Sequence, residues 1–247
     1  MTRDETPRAT SITVVFDNYL HDKSMTTDWG FASVVRGLEK TILFDTGGDG
    51  HTLLANMSAL RIDPKSIDVV FLSHIDADHT GGLQDFLTQN PHVLVYLPAS
   101  FPMGFKAEVA RTGADIVEIS QAMRLFDDVF TTGELAGPKT EQSLVVKTPD
   151  LTAVVSGCAH PGIDTMVGIA REVSVAERFL IVGGFHFFRS SAETIHESIV
   201  RLKRLGVEWA GPTHCSGDQA RLLFKEAFGE SYIETGAGKT IDLSKLK

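Results

Sequence analysis

Short apolar runs rich in β-branched residues recur along this chain, and most of them end abruptly in polar residues or glycine. Runs of this length and composition predict buried β-strands. The predicted strands cover residues 11–16, 31–35, 41–44, 69–72, 93–97, 144–146, 151–155, 179–182 and 207–210. Apolar residues at helical spacing predict helices over 53–60, 83–87, 166–173, 192–205 and 219–228. Strand, polar loop and helix therefore recur as the theme of the chain.

The segment from about 100 to 140 has the least regular pattern. It suggests a short helix at 106–111 and strands at 115–119 and 128–131, but no motif fixes them. This segment could be a small insertion over a functional site. No linker, repeat or low-complexity stretch divides the sequence, so residues 1–247 are interpreted as one domain.

Four residues that can bind a metal lie within six positions, directly after the predicted strand at 69–72: His74, Asp76, Asp78 and His79. The following Gly81-Gly82 lets the backbone turn into the next helix, so both ends of the loop are held. Imidazole and carboxylate groups suit zinc, manganese or ferrous iron, and neighbouring carboxylates repel unless a cation lies between them. A solvated polar loop is the alternative, and the ligand types and spacing favour a metal site over it.

Other strand ends carry polar residues of the same kind. These are Asn18, Asp45, His160, His186 and His214. Together with His74 and His79, five of the nine histidines follow predicted strands. A rigid sheet can position side chains at such places. His160 and His214 sit among small residues, which favours a ligand role, whereas for His186 a ligand, a proton donor and a structural hydrogen bond stay open. The remaining histidines are expected to be solvated or packed: His21, His51, His92 and His196.

Composition narrows the class of protein. With 247 residues, of which 43% are hydrophobic, the chain can bury a sizeable core. No run of about 18 apolar residues predicts a membrane span, and residues 1–9 lack the pattern of a signal peptide, so a cytoplasmic protein is expected. The net charge of −9, without a basic stripe, argues against nucleic acid as a partner.

No nucleophilic side chain is evident. Ser73 and Ser216 lack a Gly-x-Ser-x-Gly elbow, and Cys158 and Cys215 lie beside candidate ligands. Two cysteines fit a reducing compartment. A packing role is favoured for both, with Cys215 as a soft neighbour of an ion as the alternative.

The stretch His-Ile-Asp-Ala-Asp-His-Thr-Gly-Gly at 74–82 resembles the HxHxDH signature of the metallo-β-lactamase fold superfamily. Asp45, His160 and His214 stand in the places of its other motif residues. Segments 17–19, 44–47, 157–162, 183–186 and 214–217 resemble the branch named for 7,8-dihydropterin-6-ylmethyl-4-(β-D-ribofuranosyl)aminobenzene-5'-phosphate synthase, whose members are largely described only as metal-dependent hydrolases. The resemblance implies an α/β fold, a four-layer αββα sandwich, with a metal site at one edge of the two sheets.

The resemblance also implies a set of ligands for two divalent ions, which would be zinc, manganese or iron. One ion would be held by His74, Asp76 and His160, and the other by Asp78, His79 and His214. Asp45 would orient a ligand histidine from behind, and Asp78 could accept a proton while remaining a ligand.

Two positions depart from the superfamily pattern. Asp76 stands where most members have histidine. A carboxylate is a harder Lewis base than an imidazole, so this change favours manganese or iron beside zinc. Where many members have an aspartate that bridges both ions, this chain has Gly184-Phe185-His186, so the bridge is either absent or supplied by His186.

Three functions are compatible with this sequence. The leading hypothesis is a metal-dependent hydrolase of a small-molecule ester, lactone or phosphate that uses a metal-activated water. The second is a transferase that joins a dihydropterin methyl diphosphate to an aminobenzene ribosyl phosphate and releases diphosphate. The third is a metabolite-binding sensor built on a degenerate site. The intact set of ligand residues argues against this third hypothesis.

Overall fold

Two β-sheets face each other in the computed structural model, which describes residues 9–247. The strands are β1 (Ser11–Asp17), β2 (Phe31–Arg36), β3 (Ile42–Phe44), β4 (Val69–Phe71), β5 (Leu94–Pro98), β6 (Asp115–Ile119), β7 (Met123–Phe126), β8 (Val129–Thr131), β9 (Leu144–Lys147), β10 (Thr152–Ser156), β11 (Phe179–Gly184), β12 (Val207–Thr213) and β13 (Thr240–Asp242). The first sheet has the order β13-β1-β2-β3-β4-β5-β6, and the second has the order β12-β11-β10-β9-β8-β7.

Helices cover the outer face of each sheet. They are α1 (Gly50–Ala59), α2 (Ala77–Thr80), α3 (Leu83–Gln89), α4 (Met103–Arg111), α5 (Ile163–Ser174), α6 (Ala192–Arg204) and α7 (Gly217–Phe228), with 3-10 turns at Pro64–Ser66, His214–Ser216, Gly229–Ser231 and Leu243–Lys245. Apolar residues of α1, α3 and α4 pack against the first sheet, and those of α5, α6 and α7 pack against the second.

Strand β4 shows how the sequence produces these layers. Val69 and Phe71 point into the apolar core between the sheets, whereas Val70 points into the core beneath the helices. Side chains alternate along a strand, so a central strand covered on both faces must be apolar at every position. The expected four-layer αββα sandwich is confirmed.

Parallel pairing brings the ends of several strands to one edge. In the first sheet β3, β4, β5 and β6 run parallel to one another, and in the second sheet β10, β11 and β12 do so. Loops that follow parallel strands emerge on the same side of a sheet. Residues far apart in the sequence therefore meet where these strands end.

The predicted strands and helices are all present, with small differences at their ends. The pattern missed β7, β13 and the short helix α2, which begins inside the metal-binding motif. Residues 100–140 contain α4, complete the first sheet with β6 and supply β7 and β8 to the second. This segment is therefore the connection between the sheets, not an addition to them.

Residues 1–8, on which most of the signal-peptide argument rests, lie outside the described residues. Among residues 9–247, the helices are all too short or too polar to cross a membrane.

Val175 provides a test of the local backbone energetics. It follows α5 in a left-handed conformation, with φ of 51° and ψ of 53°, and is 83% exposed. A β-branched residue is strained in this conformation and glycine is not, so Val175→Gly should raise the free energy of unfolding by about 1 kcal/mol. Val200→Gly, at an exposed position inside α6, should lower it. Urea unfolding measures both changes, and a loss of stability in Val175→Gly would contradict this account.

Candidate metal centre

Five histidine rings form a continuous row at the edge where the parallel strands end. The order is His214, His79, His74, His160 and His186, with ring centroids 5.0, 4.2, 4.8 and 4.6 Å apart. These are the five histidines predicted from their positions after strands. The row spans both sheets, because His74 and His79 follow β4 while the others follow β10, β11 and β12.

Four of these rings are fixed through Nδ1. Two of the acceptors are carboxylates: Asp45 Oδ2 lies 2.7 Å from His79 Nδ1, and Glu141 Oε2 lies 2.8 Å from His160 Nδ1. The other two are neutral oxygens: Ser73 Oγ lies 2.8 Å from His74 Nδ1, and Asn18 Oδ1 lies 2.8 Å from His214 Nδ1. An acceptor beside Nδ1 places the ring proton on that nitrogen, so the lone pair of Nε2 stays free to bind a metal. Metal-binding histidines in proteins are oriented in this way.

Two of the Nε2 atoms have no hydrogen-bond partner within the described part of the chain. They belong to His74 and His214, whose side chains are buried. Burying an unpaired polar atom is unfavourable by about 1–3 kcal/mol, so such atoms are rare without a bound group. These nitrogens, with carboxylates and thiols around them, form a donor set that fits a divalent transition-metal ion.

Asp45 organises the part of the site that lies on the first sheet. It is fully buried, and its carboxylate accepts hydrogen bonds from the backbone N–H and the hydroxyl of Ser73 and from the His79 ring, each at 2.7 Å. Because the Ser73 hydroxyl donates its proton to Asp45, its oxygen can accept a hydrogen bond from Nδ1 of His74. One carboxylate thus orients two rings, directly and through a serine.

Glu141 performs the same task on the second sheet. Its carboxylate accepts the backbone N–H groups of Cys158, Ala159 and His160 at 2.8 to 2.9 Å, and also the His160 ring. Burial alone would raise the pKa of Glu141, but the nearby His74 and the bonds from His160 lower it to about 2. Sequence reasoning missed this residue, because the polar run Glu141-Gln142-Ser143 before β9 has the composition of an ordinary loop.

The two motif carboxylates differ in their surroundings. Asp78 Oδ2 lies 3.4 Å from His214 Nε2 and 3.8 Å from His79 Nε2. Asp76 Oδ2 lies 3.6 Å from His74 Nε2 and forms an ion pair with Lys139, which the sequence did not indicate.

Both motif carboxylates have a pKa well below the usual value. For Asp76, the neighbouring His74 is the main cause, assisted by Lys139. For Asp78, burial acts in the opposite direction but is outweighed by the neighbouring His214 and His79 rings. Both side chains are therefore anionic at neutral pH.

Among the described residues, five groups of three side chains have their potential ligand atoms within 4.8 Å of one another. The groups are His74-His79-Cys158, Cys158-His160-His186, Cys158-His214-Cys215, His74-Glu141-His160 and Asp78-His79-His214. Of the sequence-predicted ligands, Asp76 is in none of these groups and lies at the margin of the site. Cys158, for which packing was favoured, is in three of them.

The backbone is strained where the site residues emerge. Seven non-glycine residues in the described chain have a positive φ, and four of them belong to this edge: Asp45, Ala159, His186 and His214, with φ of 50° to 58°. Each follows a strand, and such a conformation is unfavourable by about 1–3 kcal/mol per residue. Strain of this kind is typical of functional sites.

Aromatic and cationic side chains surround the mouth of the site. The Trp29 ring, 51% exposed, lies 5.0 Å from the His214 ring, and the Phe188 ring, 46% exposed, lies 5.2 Å from the His186 ring. Arg189 lies over Phe188, 5.1 Å from its centroid. No motif in the sequence marked these residues, because single exposed aromatics are common.

This fold and a histidine-rich centre at its edge define a class of metalloenzymes, and comparison with known proteins identifies it. The family model described as "Metallo-beta-lactamase superfamily" matches residues 28–214. The chain therefore belongs to the metallo-β-lactamase superfamily, as the motifs predicted, and it is an enzyme of that superfamily.

Individual relatives agree with this family. The chain is 31% identical over 250 residues to the 7,8-dihydropterin-6-methyl-4-(beta-D-ribofuranosyl)-aminobenzene-5'-phosphate synthase of Methanocaldococcus jannaschii, covering 83% of this chain and 85% of that protein. The crystal structure of Tm1679 is that of a metal-dependent hydrolase of the beta-lactamase superfamily. It aligns with this chain with a TM-score of 0.81 and 24% identity, over 95% of this chain and 99% of the Tm1679 chain. The metallo-beta-lactamase fold protein YhfI from Bacillus subtilis aligns with a TM-score of 0.70 and 14% identity, over 94% of this chain and 99% of the YhfI chain.

Replacing Asp45 tests the orienting network. Asp45→Asn puts a donor amide where Ser73 and His79 need an acceptor, so it should weaken zinc binding by about 10- to 100-fold. Competition with a chromophoric chelator measures the affinity. Asp68→Asn is the matched control, because Asp68 is exposed and accepts only the Thr41 backbone N–H among the described contacts. Unchanged zinc affinity in Asp45→Asn would refute the orienting role.

Proposed function

We propose that this enzyme is a metal-dependent hydrolase that acts on an ester, lactone or phosphate group of a small molecule. The observation that carries the proposal is the pair of buried, unpartnered Nε2 atoms of His74, in the middle of the row of rings, and His214, at one end of it. Their Nδ1 atoms are already engaged, so the arrangement is prepared for ions and not for protein hydrogen bonds.

The ligands are assigned as the resemblance implies. We define a first ion position, held by His74, Asp76 and His160, and a second ion position, held by Asp78, His79 and His214. Zinc, manganese and iron are the candidate ions. When bound, such ions supply Lewis acidity and lower the pKa of a coordinated water to about 7.

The protein side chains bind and orient the substrate and move protons. Asp78 is anionic, lies at the opening between two rings and can accept a proton from an attacking water. His186 is exposed beside His160, where it can donate a proton to a leaving group or complete the ligand set. Lys139 and Arg189 place positive charge at the mouth, which favours an anionic substrate such as a phosphate ester.

Metal removal is the direct test. Dialysis against a chelator should lower hydrolysis of chromogenic ester, lactone and phosphate substrates by at least about 100-fold, and added zinc or manganese should restore it. Asp78→Asn should lower turnover in the metal-loaded enzyme, whereas Asp85→Asn, at an exposed position of α3, should not. Full activity of the stripped protein would contradict the proposal, and tight metabolite binding without turnover would favour the sensor.

A transferase reaction is the second candidate, and two observations favour it. One is the 31% identity to a synthase whose name contains a dihydropterin and an aminobenzene ring. The other is the pair of exposed rings, Trp29 and Phe188, beside the two ends of the histidine row. Planar heterocycles stack on such rings with a gain of about 0.5–1.5 kcal/mol each beyond area burial.

Diphosphate release separates the two reactions. A transferase should release diphosphate from a dihydropterin methyl diphosphate only when an aminobenzene ribosyl phosphate is present. Trp29→Ala should then raise the KM for one of the two aromatic substrates, while Leu20→Ala, a change at a similarly exposed position, should leave it unchanged. Equal release with and without the acceptor would identify hydrolysis.

A further inference from the structure

The thiol of Cys158 lies in the middle of the histidine row. Its Sγ is 3.3 Å from His79 Nε2 and belongs to a three-residue group with His74 and His79, and to another with His160 and His186. It also lies beside His214 and Cys215 in a third group. Cys158 is thus close to ligands of both the first and the second ion position.

The backbone holds this thiol in place. Cys158 donates its N–H to the Glu141 carboxylate, which also fixes His160. The preceding Gly157 allows the close approach, because a Cβ there would lie 2.2 Å from Ser73 Oγ and 3.0 Å from Asp45 Oδ2. The same buried groups that orient the rings therefore also position Cys158.

The surroundings of Cys158 are not those of a packing residue. It is 4% exposed but belongs to none of the three apolar cores of the described chain, and its Sγ faces an imidazole nitrogen and a second thiol. A disulfide with Cys215 does not account for the arrangement either. The Sγ atoms are 3.2 Å apart, against about 2.05 Å in a disulfide, and both cysteines are free.

We infer that Cys158 is a metal ligand whose thiolate is shared between the first and second ion positions, in addition to the residues that the resemblance assigns. This inference rests on the proposed metal-dependent function. On binding, the S–H bond is broken, the proton leaves to solvent, and the sulfur donates its electron pairs to the ions without any change of oxidation state. A coordinating thiol is deprotonated outright by the ion.

A shared thiolate changes which metal is preferred. Asp76 alone makes the first position hard, but thiolate is a soft ligand that selects zinc or iron over manganese. Loss of the sulfur should therefore reduce the preference for zinc over manganese. Loss of an orienting partner already weakens binding by about 10- to 100-fold, so loss of a shared ligand should weaken zinc binding at least tenfold.

Cobalt substitution tests the sulfur ligand. Full-length protein loaded with Co(II) should show a near-ultraviolet thiolate-to-cobalt charge-transfer band. The band should be absent in Cys158→Ser and present in Cys215→Ser, which removes the neighbouring buried thiol. Zinc affinity should fall at least tenfold in Cys158→Ser only. A band that survives in Cys158→Ser would overturn the inference.

Cadmium-113 NMR of the unmutated protein gives an answer that does not depend on the folding of a variant. With two Cd(II) ions bound, both resonances should be shifted downfield, because one sulfur contacts both ions. A single downfield resonance would overturn the sharing, and two resonances typical of nitrogen and oxygen ligands would overturn the ligand role. Both results leave the metal-dependent function standing, whereas failure to bind any metal would refute that function itself.

Discussion

The hydrogen bonds that fix the Nδ1 atoms are the interaction on which this site depends. Imidazole rings with centroids 4.2 to 5.0 Å apart repel one another when they are protonated, so the cluster needs acceptors at Nδ1 that define each tautomer and anionic partners that offset this repulsion. Asp45 and Glu141 provide this from one sheet each, with Asn18 acting on His214. The Nε2 atoms are then left available for the cations that we propose.

The fold brings these side chains together, and the backbone is strained at several of the site residues as a result. Parallel strands in both sheets end at the same edge, so rings from β4, β10, β11 and β12 meet there. Left-handed conformations at Asp45, His186 and His214 turn the chain sharply where each strand ends. The apolar core between the sheets holds these ends rigid, and bound metal would offset the strain and the desolvation of the unpaired nitrogens.

Much of this was predictable from sequence. Buried parallel strands are continuous apolar runs, and His74 to His79 stand together in a local motif, so the fold class and five ring positions follow from pattern and resemblance. Glu141, Lys139 and the central position of Cys158 do not follow, because their partners are 17 to 79 residues away in the sequence. Strands β7 and β13 were missed because they are short edge strands, and β7 is only partly buried.

The most direct test of the central claim, that the row of rings is a two-ion centre, is a crystal structure with diffraction measured on both sides of the zinc absorption edge. The account predicts two anomalous peaks per chain, one beside His74 and His160 and the other beside Asp78, His79 and His214. Absence of any peak along the row, in crystals grown with zinc, would contradict it.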